Sequence, residues 1–241
     1  MMRIERISET TLMVYFADKI DVELAAKIAH YVQRIKEALS PAVIEITPSY
    51  CSLLLQLSPE HCAEPEIGRF IAQLETIYQD CDFTGDSQKL SKTAVLQGKQ
   101  IVLPVYYDVS VGPDLVTVAE HAQVTIDEVI RSHSQQRYTV CAIGFAPGFA
   151  FLASVDARIA TPRLVTPRHF VPAGSVGIAN EQTAIYPANS PGGWQIIGNC
   201  PQSLFDPNTD PMSPFDIGDQ VQFEPIDRQT YIALGGQLWQ K

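Results

Sequence analysis

The stretch Tyr138-Thr139-Val140-Cys141-Ala142-Ile143-Gly144-Phe145-Ala146-Pro147-Gly148-Phe149-Ala150-Phe151-Leu152 changes character at its middle. Tyr138 to Ile143 is β-branched, aromatic and almost wholly apolar, the composition of a strand buried on both faces. Gly144, Pro147 and Gly148 then break the run, with Phe145, Phe149 and Phe151 among them. A core strand that delivers an aromatic loop to a surface is a common way of building a site. The composition equally allows the three phenylalanines to do no more than close the core.

The flanking charges favour a site. Between Val129 and Arg168 the charged residues are Arg131, Arg137, Asp156, Arg158, Arg163 and Arg168, against a whole-chain balance of 17 Lys+Arg to 27 Asp+Glu. Arginine concentrated in an acidic chain points to an anion held by planar, bidentate donors. Any one of the five, taken alone, reads first as a solvated surface residue. His133 falls at the end of a short helix just before Arg137, where an imidazolium either caps the helix dipole or faces the site.

With 241 residues, 46% of them hydrophobic and 18% charged, the chain can bury a large core or two smaller ones. No apolar run approaches the roughly 20 residues that span a bilayer, and no signal-type segment opens the chain, so a cytoplasmic location is expected. A net charge of −10 excludes the broad basic face that nucleic acid requires. The five cysteines are widely spaced, without a C-x-x-C pair, and read as buried apolar residues; no metal site is assigned.

Upstream, Ile4 to Phe16 reads as one half-buried strand, and Asp21 caps a helix carrying Leu24, Ile28, Tyr31, Val32, Ile35 and Leu39 up to Ser40-Pro41. Two strands, Val43 to Ile46 and Leu53 to Leu57, precede a second helix from Glu66. This βαββα order predicts a small α+β, ferredoxin-like domain over 1–84, with the polar stretch 85–98 as a linker. The second domain, 99–241, opens with a strand at Ile101 to Tyr107 and two short helices, Asp114 to Ala122 and Thr125 to Ser134, capped by Asp114 and Thr125. Downstream come Thr161-Pro162-Arg163, Thr166-Pro167-Arg168, a turn at Val171 to Ser175, and a second glycine-rich loop from Pro187 to Trp194. The C-terminal part adds Val221 to Phe223 and Tyr231 to Leu234. Many short strands between Gly and Pro turns predict a closed or nearly closed β-barrel.

Four segments, taken in register, carry a family likeness: Gly144-Phe145-x-Pro147-Gly148-Phe149-x-Phe151-Leu152, Pro167-Arg168, Val171-Pro172-x-Gly174-Ser175-Val176, and Tyr186-Pro187-x-x-Ser190-Pro191-Gly192-Gly193-Trp194. They resemble the family of bacterial 5-oxoprolinase B subunits, which also includes Kip-type inhibitors of sporulation kinases and is labelled allophanate hydrolase subunit 1 in places. The resemblance implies that the second domain is a cyclophilin-like barrel. It also implies partnership with subunits C and A, in a complex that opens 5-oxoproline to glutamate with ATP, as Mg-ATP, at the level of the complex and not tightly bound to this chain. A kinase-inhibitory protein, or a subunit acting on allophanate or a urea-derived amide, is the alternative. The family often carries tyrosine in the slot of Phe151, so a hydroxyl is missing there.

Opening a lactam near neutral pH requires activation of the amide, and phosphoryl transfer is catalysed mostly by positioning and charge stabilisation. His133, Arg137 and Arg168 are therefore the expected catalytic charge handlers. Phe145, Pro147, Gly148, Phe149, Arg163, Ser175, Ser190, Gly192, Gly193 and Trp194 are the expected substrate-binding walls. No Gly-x-x-x-x-Gly-Lys-Ser/Thr loop is present. The loops and arginines are expected to line one positive hollow, incomplete until another polypeptide closes it.

Overall fold

Leu12 and Val14, alternating with polar or half-buried neighbours, bury one face of a strand, and around it the N-terminal part of the computed structural model is built. The structure describes residues 2–18, 21–81 and 98–239, in two compact units, Met1–Gly98 and Lys99–Lys241. The polar stretch 85–98 lies, apart from Gly98, outside the described residues.

The first unit runs β1 (Arg3–Arg6), β2 (Thr11–Tyr15), α1 (Glu23–Leu39), β3 (Val43–Ser49), β4 (Ser52–Leu57), a 3-10 turn (Pro59–His61) and α2 (Glu66–Asp80). Its antiparallel sheet has the order β1-β2-β4-β3. The single strand expected over Ile4 to Phe16 is thus a hairpin. The chain reverses through Ser8, whose hydroxyl donates to Thr11 Oγ1 at 2.9 Å, with Ile7 N–H donating to Thr11 O at 2.9 Å. Val22, not Asp21, occupies the N-cap position of α1, with no side-chain cap. Leu53, Leu55 and Leu57 of the sheet pack against Ile28, Tyr31 and Ile35 of α1 and Phe70, Leu74 and Ile77 of α2. The Tyr31 hydroxyl donates to Leu74 O at 2.9 Å and ties the helices together.

The second unit comprises β5 (Gln100–Val105), α3 (Leu115–Ala122), α4 (Ile126–Ser134), β6 (Arg137–Ile143), β7 (Ala150–Ala153), β8 (Arg168–Val171), β9 (Ser175–Ala179), β10 (Gln182–Ile185), β11 (Ser190–Gly192), β12 (Gln195–Asn199), β13 (Gln220–Pro225) and α5 (Arg228–Ala233). Strand pairing follows β5-β13-β6-β7-β10-β9-β12, parallel between β5 and β13 and antiparallel elsewhere. Tyr106, just past β5, bridges to Asn199 at the end of β12, each N–H donating to the other's carbonyl at 2.9 Å. The path therefore returns on itself. Val140, Leu152, Val176, Ile178, Ile185, Ile197, Val221 and Phe223 fill one apolar cluster, which Val118 of α3 and Val129 of α4 join.

Strand β6 is buried at Tyr138, Val140, Cys141 and Ala142, as its near-continuous apolar run dictates. Helix α4 opens with a capping box: Thr125 Oγ1 accepts from Glu128 N–H at 3.2 Å, and Thr125 N–H donates to the Glu128 carboxylate at 2.8 Å. Tyr231 to Ala233 belongs to a helix rather than a strand, because the Asp227 carboxylate caps it by accepting from Thr230 N–H at 2.7 Å. No helix among the described residues is long and apolar enough to cross a membrane.

Candidate functional site

Strands β8 and β11 pair with each other as a separate two-stranded ribbon. Ser190 lies opposite Val171 and Gly192 opposite Arg168, with an irregularity in register between them. This bulge turns Arg168 and Val171 to the same side of the ribbon, although a regular strand would place them on opposite faces. A Cβ on Gly192 would overlap the Tyr186 hydroxyl, so that side faces Tyr186. Beneath it lies an apolar layer of Phe149, Val171, Ala179, Ala184, Tyr186, Trp194 and Ile196, with Ala146, Phe151 and Trp239 at its margin.

The two glycine-rich loops meet in this layer. Phe149 packs edge-on to Trp194 at 5.7 Å between centroids and to Tyr186 at 5.5 Å, and Phe151 lies 6.0 Å from Trp194. Phe145 stays 67% exposed, with φ of +72°, at the tip of its loop and 6.5 Å from Tyr186. Gly148, at φ of +80°, turns the chain tightly under Leu204 O, where any Cβ would collide. Gly193 O accepts from Leu164 N–H at 2.7 Å, which ties the second loop to the Pro-Arg segment.

Two arginines border the layer. Arg163 is exposed, its guanidinium 5.5 Å from the Trp194 ring. Arg168 Nη2 donates to Asp114 Oδ1 at 2.5 Å, with the Asp114 side chain 8% exposed, and Asp114 Oδ2 accepts from Ile196 N–H at 2.7 Å. Asp114 sits at the N-cap position of α3 but makes no cap bond; its carboxylate orients Arg168 instead, which corrects the capping role expected of it. Burial raises the Tyr186 phenol, opposed by a backbone hydrogen bond with Trp194 and by Arg163 and Arg168, so it stays protonated at neutral pH.

The other arginines lie elsewhere. Arg131 and Arg158 line a separate hollow of about 460 Å³ with Glu128 and Asp156, and Arg158 is already paired to Asp156 at 2.5 Å. Arg137 is exposed at the start of β6, opposite Gln222 of β13. The loops converge as expected, but only Arg163 and Arg168 come with them.

His133 is fully buried. Its Nδ1 hydrogen-bonds the Tyr107 hydroxyl at 2.7 Å, its Nε2 the Thr183 hydroxyl at 2.9 Å, and its ring stacks on Phe223 at 4.6 Å. Burial pushes its pKa down to about 3. A neutral imidazole with both nitrogens engaged inside the core is a structural node, and the expectation that His133 handles charge at the site is corrected. Nothing local in sequence could reveal this, since Tyr107 and Thr183 are distant along the chain. Cys141 and Cys200 are likewise buried, and burial lifts both thiols to about 11, out of nucleophile range.

Two adjoining hollows of about 360 and 760 Å³ share Pro172, Asn189 and Gln237 as lining. The first runs along Gly174 and Cys200; the second lies between Phe170 and Trp239. The part played by the C-terminal Gln237-Leu238-Trp239 segment was not legible in sequence. Its glycine pair, Gly235-Gly236, is the one signal that the chain turns back there.

Comparison with known proteins places this architecture. Residues 2–215 match the family model described as carboxyltransferase domain, subdomain C and D. The B subunit of 5-oxoprolinase from Bacillus subtilis (strain 168) is 34% identical over 234 residues, covering 96% of this chain and 95% of that protein. Among solved structures, TTHA0988 superposes with a TM-score of 0.74 at 28% identity, over 94% of this chain but only 40% of that one, so the present chain spans about two fifths of its length. The urea carboxylase of Kluyveromyces lactis gives a TM-score of 0.71 at 16% identity, over 96% of this chain and 22% of that one, a likeness of fold alone. From the two converging glycine-rich loops, the family-model match over most of its length and the near full-length relative, the chain belongs to the family of 5-oxoprolinase B subunits.

Proposed function

We propose that the chain is the B subunit of an ATP-dependent 5-oxoprolinase, cytoplasmic and cyclophilin-like in its barrel, that opens 5-oxo-L-proline to L-glutamate together with subunits C and A. The single observation that carries this reading is the meeting of both glycine-rich loops, Arg163 and Arg168 over one aromatic layer, in a chain whose near full-length relative is a 5-oxoprolinase B subunit. Phe145, 67% exposed and packed on Phe149, offers the ring of the substrate an apolar face above the buried Phe149, Tyr186 and Trp194. The substrate's carboxylate, and the charge that develops on the amide oxygen during opening, suit guanidinium donors held in advance by Asp114 and by Trp194.

In this reading the triphosphate is bound at the level of the complex rather than by this chain alone. No Gly-x-x-x-x-Gly-Lys-Ser/Thr loop is present, and among the described residues no three His, Cys, Asp or Glu side chains gather to hold magnesium. Arg168 already engages one nitrogen with Asp114. We assign activation of the lactam by ATP to the assembled complex, with the partner closing the exposed side where Phe145 and Arg163 stand.

The test is reconstitution. Purified chain alone is expected to release no glutamate from 5-oxoproline and ATP, and addition of subunits A and C to restore release. Full activity of A and C without this chain would overturn the reading.

A further inference from the structure

Strand β1 stands at the edge of the first unit's sheet: among the described residues it pairs with β2 alone. The directions of its backbone groups follow from the neighbouring pair. Phe16 N–H donates to Cys51 O at 2.8 Å and Leu57 N–H to Thr10 O at 2.8 Å, so the even-numbered residues of β2 turn their backbone groups toward β4. The odd-numbered residues serve β1, and Ile7 N–H accordingly donates to Thr11 O. Arg3, opposite Tyr15, and Glu5, opposite Met13, are therefore bonded to β2. Ile4 and Arg6 direct their N–H and C=O groups outward, where among the described residues no strand receives them.

Side chains alternate to match. Ile4 and Arg6 share the face of Val14 and Leu12, which belongs to the helix-covered core, and Arg3 and Glu5 lie on the other face with Tyr15 and Met13. Arg3 stands over the Tyr15 ring at 4.5 Å and pairs with Glu5 at 3.2 Å, the two side chains 60% and 43% exposed. Edge strands are ordinarily kept from pairing by proline, a bulge or charge. Arg3-Ile4-Glu5-Arg6 contains no proline, and its register with β2 is regular. The two charges on its outer face are opposite in sign and stand one residue either side of Ile4.

We infer that β1 is an interface for a second copy of this chain, the two β1 strands pairing antiparallel about a two-fold axis at Ile4 and joining the two sheets edge to edge. The two-fold pairings that use the outward groups of Ile4 and Arg6 are centred on Arg3, Ile4 or Glu5. The first sets Arg3 against Arg3 and the last Glu5 against Glu5, and like charges directly opposed are destabilising. Centred on Ile4, the pairing sets Arg3 of each copy against Glu5 of the other, at the close spacing of a non-hydrogen-bonded pair, while Ile4 bonds to Ile4. Charge thus selects one register. The contact uses the same patch on both copies, so it closes at two. Paired strands this short bury less than a standard interface, and the association is expected to be salt-sensitive and in the micromolar range. The inference does not rest on the function proposed above.

The test is sedimentation velocity of the full chain over a concentration series, at low and at physiological salt. The unaltered chain is expected to pass from monomer to dimer, at lower concentration in low salt. Arg3→Glu opposes carboxylates at both contacts and Glu5→Arg opposes guanidiniums, so each should weaken self-association at least about tenfold. Mixed in equal amounts, the two variants restore opposite charges at both contacts and should associate within about threefold of the unaltered chain. Ile4→Pro removes an outward N–H, a change an edge strand tolerates, and should leave a monomer. Thermal melts of the variants show that folding is intact. A chain that stays monomeric throughout, charge variants that self-associate as well as the unaltered chain, or a mixture no tighter than either variant alone overturns the proposal.

Discussion

Removing the carboxylate that holds Arg168 tests the geometry of the site most sharply through stability. In Asp114→Ala the Arg168 guanidinium loses its partner at 2.5 Å and Ile196 N–H loses its acceptor at 2.7 Å. Deleting one partner of a buried ion pair costs about 3–5 kcal/mol. The Arg168 side chain is 25% exposed, so water recovers part of that and the lower end applies, about 3 kcal/mol with the lost backbone bond included. For a unit of this size that corresponds to a fall of roughly 10 °C in melting temperature. The assay is denaturant unfolding of Asp114→Ala, Arg168→Ala and the double variant. The double variant should be less destabilised than the sum of the singles by about 1–3 kcal/mol, since the second deletion removes the stranded charge. A melting temperature for Asp114→Ala within about 2 °C of the unaltered chain, or strict additivity, would refute the claim that Asp114 fixes Arg168.

Other consequences follow from the same contacts. Gly192→Ala inserts a methyl group against the buried Tyr186 hydroxyl and should destabilise by about 1–3 kcal/mol, seen as a lower denaturation midpoint at unchanged slope. Gly174→Ala, at φ +79° and with the Cys200 carbonyl where a Cβ would go, should cost more than Gly192→Ala; equal or smaller loss counts against the turn geometry. For His133 the folded pKa of about 3 lies below the ordinary 6.5, so the unfolded chain binds the extra proton between those values. Its contribution to stability is complete above about pH 6.5 and is lost as pH falls toward 3, at up to about 1.4 kcal/mol per pH unit. His133→Gln should flatten the pH profile of unfolding across that window, and an unchanged slope would show that the imidazole is not buried neutral.

What could be read from sequence depended on whether the deciding contacts are local. Strand β6 was legible because burial on both faces leaves a continuous apolar run, and α4 because Thr125 and Glu128 stand at capping-box spacing. The hairpin β1–β2 was not, since Ser8-Glu9-Thr10 turns the chain without glycine or proline. Tyr231-Ile232-Ala233-Leu234 has a strand's composition but follows a capping Asp227, and the cap decides. The meeting of the two glycine-rich loops was expected. The division of the arginines was not: Asp114 captures Arg168 across 54 positions, whereas Arg158 is held by Asp156 only two positions away. Sequence spacing alone also hides the β8 bulge, without which Arg168 and Val171 would face opposite ways.

If the Arg168 side of the ribbon works within an assembled enzyme, removing that one guanidinium must impair turnover without dispersing the complex. The measurement is ATP-dependent glutamate release by the complex reconstituted with Arg168→Ala, with assembly verified by size-exclusion chromatography. Losing a guanidinium aimed at developing charge predicts a fall of about 10²–10³ in kcat/KM with the complex intact. An Arg168→Ala complex as active as the unaltered one would contradict it.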